Sequence, residues 1–338
     1  MRLRRSDIHS PGLGRRRRGE DFTYHDAQGA RITDEATVKR LRGLVIPPAW
    51  RKVWISPYPN GHIQAVGTDA AGRRQYLYHE VWQQERAEEK FDRVLEMAPL
   101  LPPFRRQIGA DLDGSGLKHN RVLALALLLL DRGYFRSGSD QYAQENESYG
   151  LATLLCEHVT VRGNTAHFEY PGKSGVRRTH EIDEPLIVRL VRSLTRGRGS
   201  DCRLLVCRNG SDLVEVHADD LNARFKELVG DDYSVKDLRT WHGTVLAAAG
   251  FADAEPPSTK TAAKRARSAV MKQVAAELGN TPAVARGSYV DPRVVRAYEK
   301  EITISAAVHR AAGITHPDAA QAVLEKATRG LIRRMDRI

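Results

Sequence analysis

Apolar and polar positions alternate with a period of two from Asp21 to about Gln84, and helical spacing takes over beyond that point. FTYHDAQGARIT reads as strand on either side of an Ala-Gln-Gly turn. VWISPYPNGHIQAVGTDAAGRRQYLYH adds two turn signals, Pro-Asn-Gly and Asp-Ala-Ala-Gly. On the strand RRQYLYH, Tyr76 and Tyr78 share one face with Arg74 beside them, and alternation by itself favours both rings packing inward. Glu85 to Met97 is a charged helical stretch that Pro99 to Pro103 breaks, and Leu117 to Leu130 is a strongly apolar helix. A three-stranded meander follows: Leu154 to Val161, Thr165 to Tyr170 and Val176 to Glu181, turning at Arg162-Gly163-Asn164 and at PGKSG. Helices then resume, one capped by Asp183 with Pro185 early in it, then Asp219 to Val229, Lys236 to Ala249 and Thr259 to Leu278. Two further helical segments end the chain.

The pattern predicts an α+β protein of two domains. Residues 1–20 read as a mobile basic arm, 21–88 as a small β-rich domain, and 89–338 as a larger, mainly helical domain that contains the meander. The N-terminal MRLRRSDIHSPGLGRRRRGE is basic with no apolar run behind it, so this stretch is not expected to be a signal peptide. The longest apolar run, Val122 to Leu130, is far below the roughly 20 residues that span a bilayer and reads as a buried helix.

Charge narrows the partner. The 338 residues carry 53 Lys+Arg against 42 Asp+Glu, a net +11, and such an excess favours a polyanion, most commonly nucleic acid. Cys156, Cys202 and Cys207 make no disulfide framework and lack a second Cys/His pair at zinc spacing. They are expected as reduced, buried thiols in a cytoplasm. PGKSG contains Gly-Lys-Ser but no upstream glycine at the spacing of a phosphate-binding loop, and it lies in a hairpin.

Five polar positions in the second domain stand out, each with a plain structural alternative. Arg136 sits on a Gly/Ser-bounded loop after the buried helix, where a surface arginine is equally ordinary. Lys173 is at the tip of PGKSG, where most lysines are simply solvated. Lys236-Asp237-Leu238-Arg239 places two cations at a helix start, which the helix dipole disfavours; a bound anion or a salt bridge to Asp237 would explain them. Asn280 in GNTPAVARGSYVDP reads first as a helix N-cap. Tyr289, at the end of that short element, reads as half-buried packing or as a nucleophile.

Together these residues fit one reaction, the breaking of a phosphodiester. That needs a nucleophile, positive groups for the developing oxyanion, and an acid for the leaving oxygen. A free tyrosine phenol, with a pKa of about 10, is roughly one part in a thousand ionised at pH 7, so nearby cations must assist it. Arginine suits two phosphate oxygens at once, and each well-placed donor can lower the barrier by about 3 kcal/mol.

FTYHDAQGARITD, IPPAWRKVWISPYPNGHIQAVGTDAAGRRQYLYH, FRSGSDQYAQENESYGLATL, YPGKSG, VKDLRTWHGT and GNTPAVARGSYVDP occur in this order and span nearly the whole chain. In these stretches the chain resembles the type IB DNA topoisomerases of the small, poxvirus-like kind found in bacteria. The resemblance implies a two-lobed clamp around duplex DNA, and it implies roles. Tyr289 matches the tyrosine that becomes linked to a DNA 3′ end. Arg136 and Arg239 match the arginines on the non-bridging oxygens, and Lys173 matches the hairpin lysine that protonates the leaving 5′ oxygen. Asn280 falls where many relatives have histidine, and a neutral amide donates a hydrogen bond without bringing a charge. Tyr142 and Lys236 match accessory phosphate contacts, and Gln75, Tyr76 and Tyr78 match a strand that meets DNA, which reverses the inward reading of the two rings.

Relaxation would then need neither ATP nor a metal or other cofactor, because one phosphodiester is exchanged for another. The expected partner is duplex DNA, preferably supercoiled, bound by a monomer at the bacterial nucleoid, with no membrane involved. A tyrosine recombinase shares the chemistry but usually has histidine where this chain has Lys236, and a helical first domain. A non-enzymatic nucleic-acid-binding protein would share the basic character alone.

Overall fold

The computed structural model describes residues 2–133 and 135–338; at positions 142, 146 and 174 it describes the backbone alone. The chain divides between Lys90 and Phe91 into two compact units, each with its own apolar core.

The first unit is an antiparallel five-stranded sheet with a short helix and the first part of a longer one. Its strands are β1 (Leu13–Arg18), β2 (Asp21–His25), β3 (Arg51–Ile55), β4 (Ile63–Thr68) and β5 (Arg74–Tyr78), in the order β2-β1-β3-β4-β5, and α1 (Glu35–Gly43) lies between β2 and β3 in sequence. Tyr24, Leu41, Ile46, Ile55 and Ala65 form its small core. The arginine run expected within a mobile arm is instead β1, paired to β2 from Gly14 to Arg18 and to β3 at Leu13 and Gly14. The reason is local. Arg15 donates to the carbonyls of Ile46 (2.7 Å), Pro47 (2.8 Å) and Trp50 (3.2 Å), and its guanidinium lies over the Phe22 ring. Its charge is thus satisfied by the sheet's own surroundings while its backbone stays in the ladder.

The division falls inside α2 (Glu80–Met97). In the second unit follow α3 (Leu101–Leu112), α4 (His119–Asp131), α5 (Asp140–Asn146), and a meander of β6 (Val159–Arg162), β7 (Thr165–Pro171) and β8 (Arg177–Ile182). Then come α6 (Pro185–Thr195), a hairpin of β9 (Val206–Asn209) and β10 (Asp212–Glu215), α7 (Ala218–Val229), α8 (Val235–Asp253), α9 (Lys260–Leu278), a three-residue α10 (Pro282–Val284), α11 (Pro292–Glu299), α12 (Ser305–Ala312) and α13 (Pro317–Met335). The apolar run of the sequence is the heart of this unit. From Val122 to Leu127 every α4 side chain is buried, and the helix packs against α3, α7 and α8.

Several boundaries differ from the pattern-based reading. Pro102 and Pro103 do not break the chain into a loop but stand in the first turn of α3, where a missing N–H costs nothing. Residues 154 and 155 do not join β6; Leu154 pairs with Leu204 and Leu155 bridges to Arg203, and a short turn precedes the strand. The cap position of α6 is Glu184 rather than Asp183, without a side-chain hydrogen bond. The two helical segments expected at the end of the chain, beyond about Glu301, are α12 and α13, and α11 precedes them. Cys156 and Cys207 are buried as expected, whereas Cys202 is exposed. Among the described residues no helix is long and apolar enough to cross a membrane.

A buried ionic network ties α13 into this unit. Arg105 of α3 is chelated by Asp131 (2.7 Å) and Glu325 (2.8 Å). Burial lowers its affinity for the proton, but the two carboxylates outweigh that and hold it above the ordinary arginine range. Next to this network His242 of α8 is pushed down to about 4, first by burial and then by Arg239 and Arg105, with Asp131 opposing. His180 of β8 is also pushed down to about 4, by burial and by Arg178 and Arg239.

These two rings set an acid dependence of stability. As pH falls through about 6.5 an unfolded chain protonates both imidazoles, while the folded chain resists until about 4. The stability owed to the neutral rings is therefore complete above the unfolded value, lost progressively across that interval, and absent below it. Denaturation midpoints measured from pH 7 to 4 should fall, and fall less steeply in His242→Gln; equal slopes would rule out the His242 contribution.

Candidate active site

The site grows from α8. Ser234 opens the helix: its backbone N–H and hydroxyl both donate to the Asp237 carboxylate, at 2.9 and 3.0 Å, and its carbonyl accepts from the Asp237 N–H at 2.9 Å. Asp237 also accepts from Arg93 at 3.0 Å, so it is engaged away from Lys236 and Arg239. Arg239 on the next turn is buried at 5% exposure. One turn further, on the same face, Gly243 meets the main chain of Tyr289. A Cβ at Gly243 would lie 2.9 Å from the Tyr289 carbonyl oxygen and 3.1 Å from the Tyr289 Cβ. Thr244 completes the attachment: its hydroxyl donates to the Tyr289 carbonyl (3.2 Å) and accepts from the Asp291 N–H (3.1 Å).

Tyr289 ends a π-helical turn, Ala285–Tyr289, closed by the Val290 N–H on the Ala285 carbonyl at 3.1 Å. Such turns are rare and concentrate at functional sites. The sequence suggested a simple short helix here. Tyr289 is half-buried against the core, and its ring centroid is 5.6 Å from the Arg239 guanidinium carbon.

The C-terminal end of α9 gathers the arginines. Gly279 takes a left-handed conformation (φ +61°) and ends the helix, leaving its last carbonyls free to accept. Arg239 donates to the Leu278 carbonyl (2.5 Å) and to the Phe135 carbonyl (3.1 Å), and Arg136 donates to the Gly279 carbonyl (2.8 Å). Cations are favoured at that end of a helix by its dipole. Arg136 also donates to the Asn280 side-chain oxygen, and the Asn280 amide donates to the Leu278 carbonyl at 3.2 Å. Asn280 is therefore not the helix cap expected from sequence. Thr281 caps α10, accepting from the Val284 N–H at 3.3 Å. Burial pulls both guanidiniums below the ordinary arginine range, the Tyr289 phenol acts against this, and neighbouring arginines add to it. The Arg239 Nε is buried with no hydrogen-bond partner among the described residues.

The loop that carries Arg136 is fixed from two directions. Phe135 is buried under the meander, 5.0 Å from the Phe168 ring and 5.9 Å from the Tyr170 ring. The Arg136 and Ser137 carbonyls accept from the Leu151 and Ala152 N–H groups, both at 2.8 Å. This requires Gly150: a Cβ there would sit 2.5 Å from the Gly138 nitrogen and 2.9 Å from the Arg136 carbonyl oxygen. Lys173 stands exposed in the turn between β7 and β8 and lines one cleft with Arg136, Arg239, Arg178, Tyr170 and Gly279.

The structure thus brings together Arg136, Lys173, Arg239, Asn280 and Tyr289. Lys236 is exposed at the start of α8, without an ion-pair partner among the described residues. The side chain of Tyr142, on α5, lies outside the described residues. In the first unit, Tyr76 and Tyr78 are 38% and 36% exposed and stacked with ring centroids 6.0 Å apart, which corrects the inward packing that alternation suggested. Arg74 lies over Tyr76, and Gln75 is held by Asp69 at 2.9 Å. Arg178, Gly150, Gly243 and Thr244 escaped sequence reasoning. Alternation along RRTHEI, which pairs Arg178 with His180 on one face, is the signal that could have found Arg178.

Gly150→Ala should keep the helical circular dichroism yet slow the reaction proposed below for this cleft by on the order of 100-fold, the cost of moving a group about an ångström from a reacting centre. A wild-type rate in a folded variant would show that the loop does not need this close approach.

Two family models match the chain. The one described as the catalytic core of eukaryotic DNA topoisomerase I covers residues 79–312, and the one described as the N-terminal domain of bacterial DNA topoisomerase IB covers residues 21–69. DNA topoisomerase 1B of Acanthamoeba polyphaga mimivirus is 28% identical over 294 residues, 85% of this chain and 88% of the viral protein. DNA topoisomerase 1B of vaccinia virus (strain Copenhagen) is 26% identical over 231 residues, 67% of this chain and 69% of the relative. The match to the catalytic core takes in well over half of the chain and every cleft residue from Arg136 to Tyr289, and the chain belongs to the type IB DNA topoisomerase family.

Proposed function

We propose that this topoisomerase relaxes supercoiled DNA by cutting one strand through Tyr289 and resealing it, with Arg136, Lys173, Arg239 and Asn280 running the chemistry. The observation that carries this reading is the convergence, beside a phenol pinned by its own main chain, of cations from three distant segments of sequence. Among the described residues two of those cations, Arg136 and Arg239, have no carboxylate partner and rest on carbonyl oxygens, positions that a phosphate can compete for.

The Tyr289 oxygen forms a bond to the scissile phosphorus as its proton leaves to solvent, and the bond from phosphorus to the 5′ oxygen breaks. Arg136 and Arg239 face the non-bridging oxygens, where charge grows in the transition state, and Asn280 donates its amide to one of them. Lys173 gives a proton to the departing 5′ oxygen. The product is a 3′-phosphotyrosine and a free 5′ hydroxyl, which swivels about the intact strand. Resealing reverses each step, with Lys173 taking the proton back. One phosphodiester replaces another, so neither ATP nor a metal ion enters the balance.

The two units are proposed to act as a monomeric clamp on duplex DNA. The exposed face of Arg74, Tyr76 and Tyr78, together with Gln75, would meet the DNA from the first unit, and Lys236 and Tyr142 would contact phosphates from the second. Most such contacts go to the backbone and carry no sequence information, so binding should weaken steeply with salt. The proposed setting is the bacterial nucleoid.

In EDTA and without nucleotide, the protein should relax plasmids of either supercoil sign, and Tyr289→Phe should relax neither. A strict requirement for magnesium or ATP would defeat the reading. Lys173→Ala should slow cleavage of ordinary DNA and recover on DNA with a 5′-bridging phosphorothiolate, whose sulfur leaves without a proton; a variant that stays slow there takes the acid role away from Lys173.

A further inference from the structure

Arg178 is a cation of the cleft to which the mechanism assigns no task. It lies on β8 opposite Tyr170 of β7, on the inward side of the strand, while its neighbour Arg177 points outward and pairs with Glu169. Arg178 forms no ion pair among the described residues.

Two glycines clear the path of its side chain. A Cβ on Gly172 would come within 2.7 Å of the Arg178 Cγ, and a Cβ on Gly279 would come within 2.3 Å of its Cζ and Nη1 and 2.6 Å of its Nη2. The stem therefore packs on the residue just before Lys173. The guanidinium fills the place of a side chain on the residue just before Asn280. Arg178 thus spans from the hairpin of the proposed acid to the helix end that holds Arg136 and Arg239, and it lines the same cleft as all three.

Among the described residues no acid forms an ion pair with it. The charged and titratable groups that face it are Arg136, Arg239, His180 and Tyr170, and its proximity lowers both partner arginines and His180. Three guanidiniums without a carboxylate repel one another, and that repulsion is relieved when an anion enters. Asn280, which can donate a hydrogen bond, is neutral and already engages Arg136 through its oxygen.

We propose that Arg178 is a third phosphate-binding arginine, which touches a non-bridging oxygen of the scissile phosphate and supplies beside Asn280 the positive charge that the amide lacks. This rests on the assignment of Tyr289 and its cleft as the site of cleavage. No bond is made or broken by Arg178; it stabilises the charge that grows on phosphorus-bound oxygen as Tyr289 attacks.

The test is single-turnover cleavage of a duplex with one scissile position, made once as the ordinary phosphodiester and once as a methylphosphonate that lacks the charged oxygen. Arg178→Ala should slow cleavage of the phosphodiester by roughly 100-fold and of the methylphosphonate by less than about threefold, the first being the ordinary cost of one oxyanion donor. Arg178→Lys, which keeps the charge, should fall between, and adding Asn280→His to Arg178→Ala should restore part of the rate below the titration of the new imidazole. The ratio of the two substrates within one preparation does not depend on how much of a variant is folded. Equal losses on both substrates would mean that Arg178 merely positions the Lys173 hairpin, and a wild-type rate on the phosphodiester would mean that it does nothing; either overturns the proposal. Tyr289→Phe run alongside keeps the underlying reading separate. If it still cleaves, the site itself is misassigned; if it is inert while Arg178→Ala is fast, the third arginine alone is wrong.

Discussion

The C-terminal carbonyls of α9 are what allow mutually repelling arginines to share so small a space. A guanidinium out of water needs acceptors, and in this cleft the Leu278 and Gly279 carbonyls provide them where carboxylates would have neutralised the charge. Carbonyl oxygens carry partial charge only. They hold Arg136 and Arg239 in place without cancelling the potential that an incoming phosphate feels. A carboxylate in the same position would have been the stronger anchor and would have left less charge for the proposed phosphate. Burial of Arg239 strengthens the same logic, because its field acts through protein rather than solvent and no reorganisation is needed when charge develops.

Close backbone approach is the second condition, and it falls on glycine. Gly243 lets the tyrosine's main chain rest directly on α8, Gly150 lets the Arg136 loop rest on the turn before the meander, and Gly279 both ends α9 and makes room for Arg178. Gly243 and Gly150 have unremarkable dihedral angles, so their need is spatial rather than conformational. Placing Arg239 and Gly243 four residues apart on one helix converts that spacing into a fixed relation between a cation and the main chain of the proposed nucleophile.

Local pattern was legible where one element decides its own fate. The apolar run of α4, the two hairpin turns of the meander and the break at Gly279 are written in periodicity and turn chemistry. The arginine run could not be read that way, because its strand identity depends on the carbonyls of Ile46, Pro47 and Trp50, which come more than thirty residues later. Asn280 misled for a related reason. Asn and Thr both cap helices well, and the choice between Asn280 and Thr281 was made by Arg136, more than a hundred residues earlier in the chain. Arg136, Lys173, Arg239 and Tyr289 were singled out through their type and setting and through resemblance to a family, not through any signal that they would meet. Arg178 had no motif to announce it, and its neighbours on the strand are charged or polar as well.

The tyrosine is also held from its far side, and this draws the last helix into the site. Asp291, two residues on, caps α11 and forms a two-pronged pair with Arg293, at 3.0 and 2.7 Å. Arg293 in turn reaches Asp92 at 2.7 Å and Asp336, just past the end of α13, at 3.0 Å. Glu325 of α13 closes on Arg105, and Asp318 on Arg132. The match to the catalytic core ends at residue 312, so α13 lies beyond it, yet three acids at or next to that helix engage arginines of the core. A buried arginine left with one carboxylate fewer is costly, which couples the docking of α13 to the geometry of the segment that begins at Asp291. Thr244 fixes the tyrosine's carbonyl and Arg293 fixes the residues that follow it, so the phenol is left to move about its own side-chain bonds. In the proposed cycle this phenol attacks, waits through strand rotation and is then displaced along the same line, and a backbone held on both sides would keep the two events in one geometry.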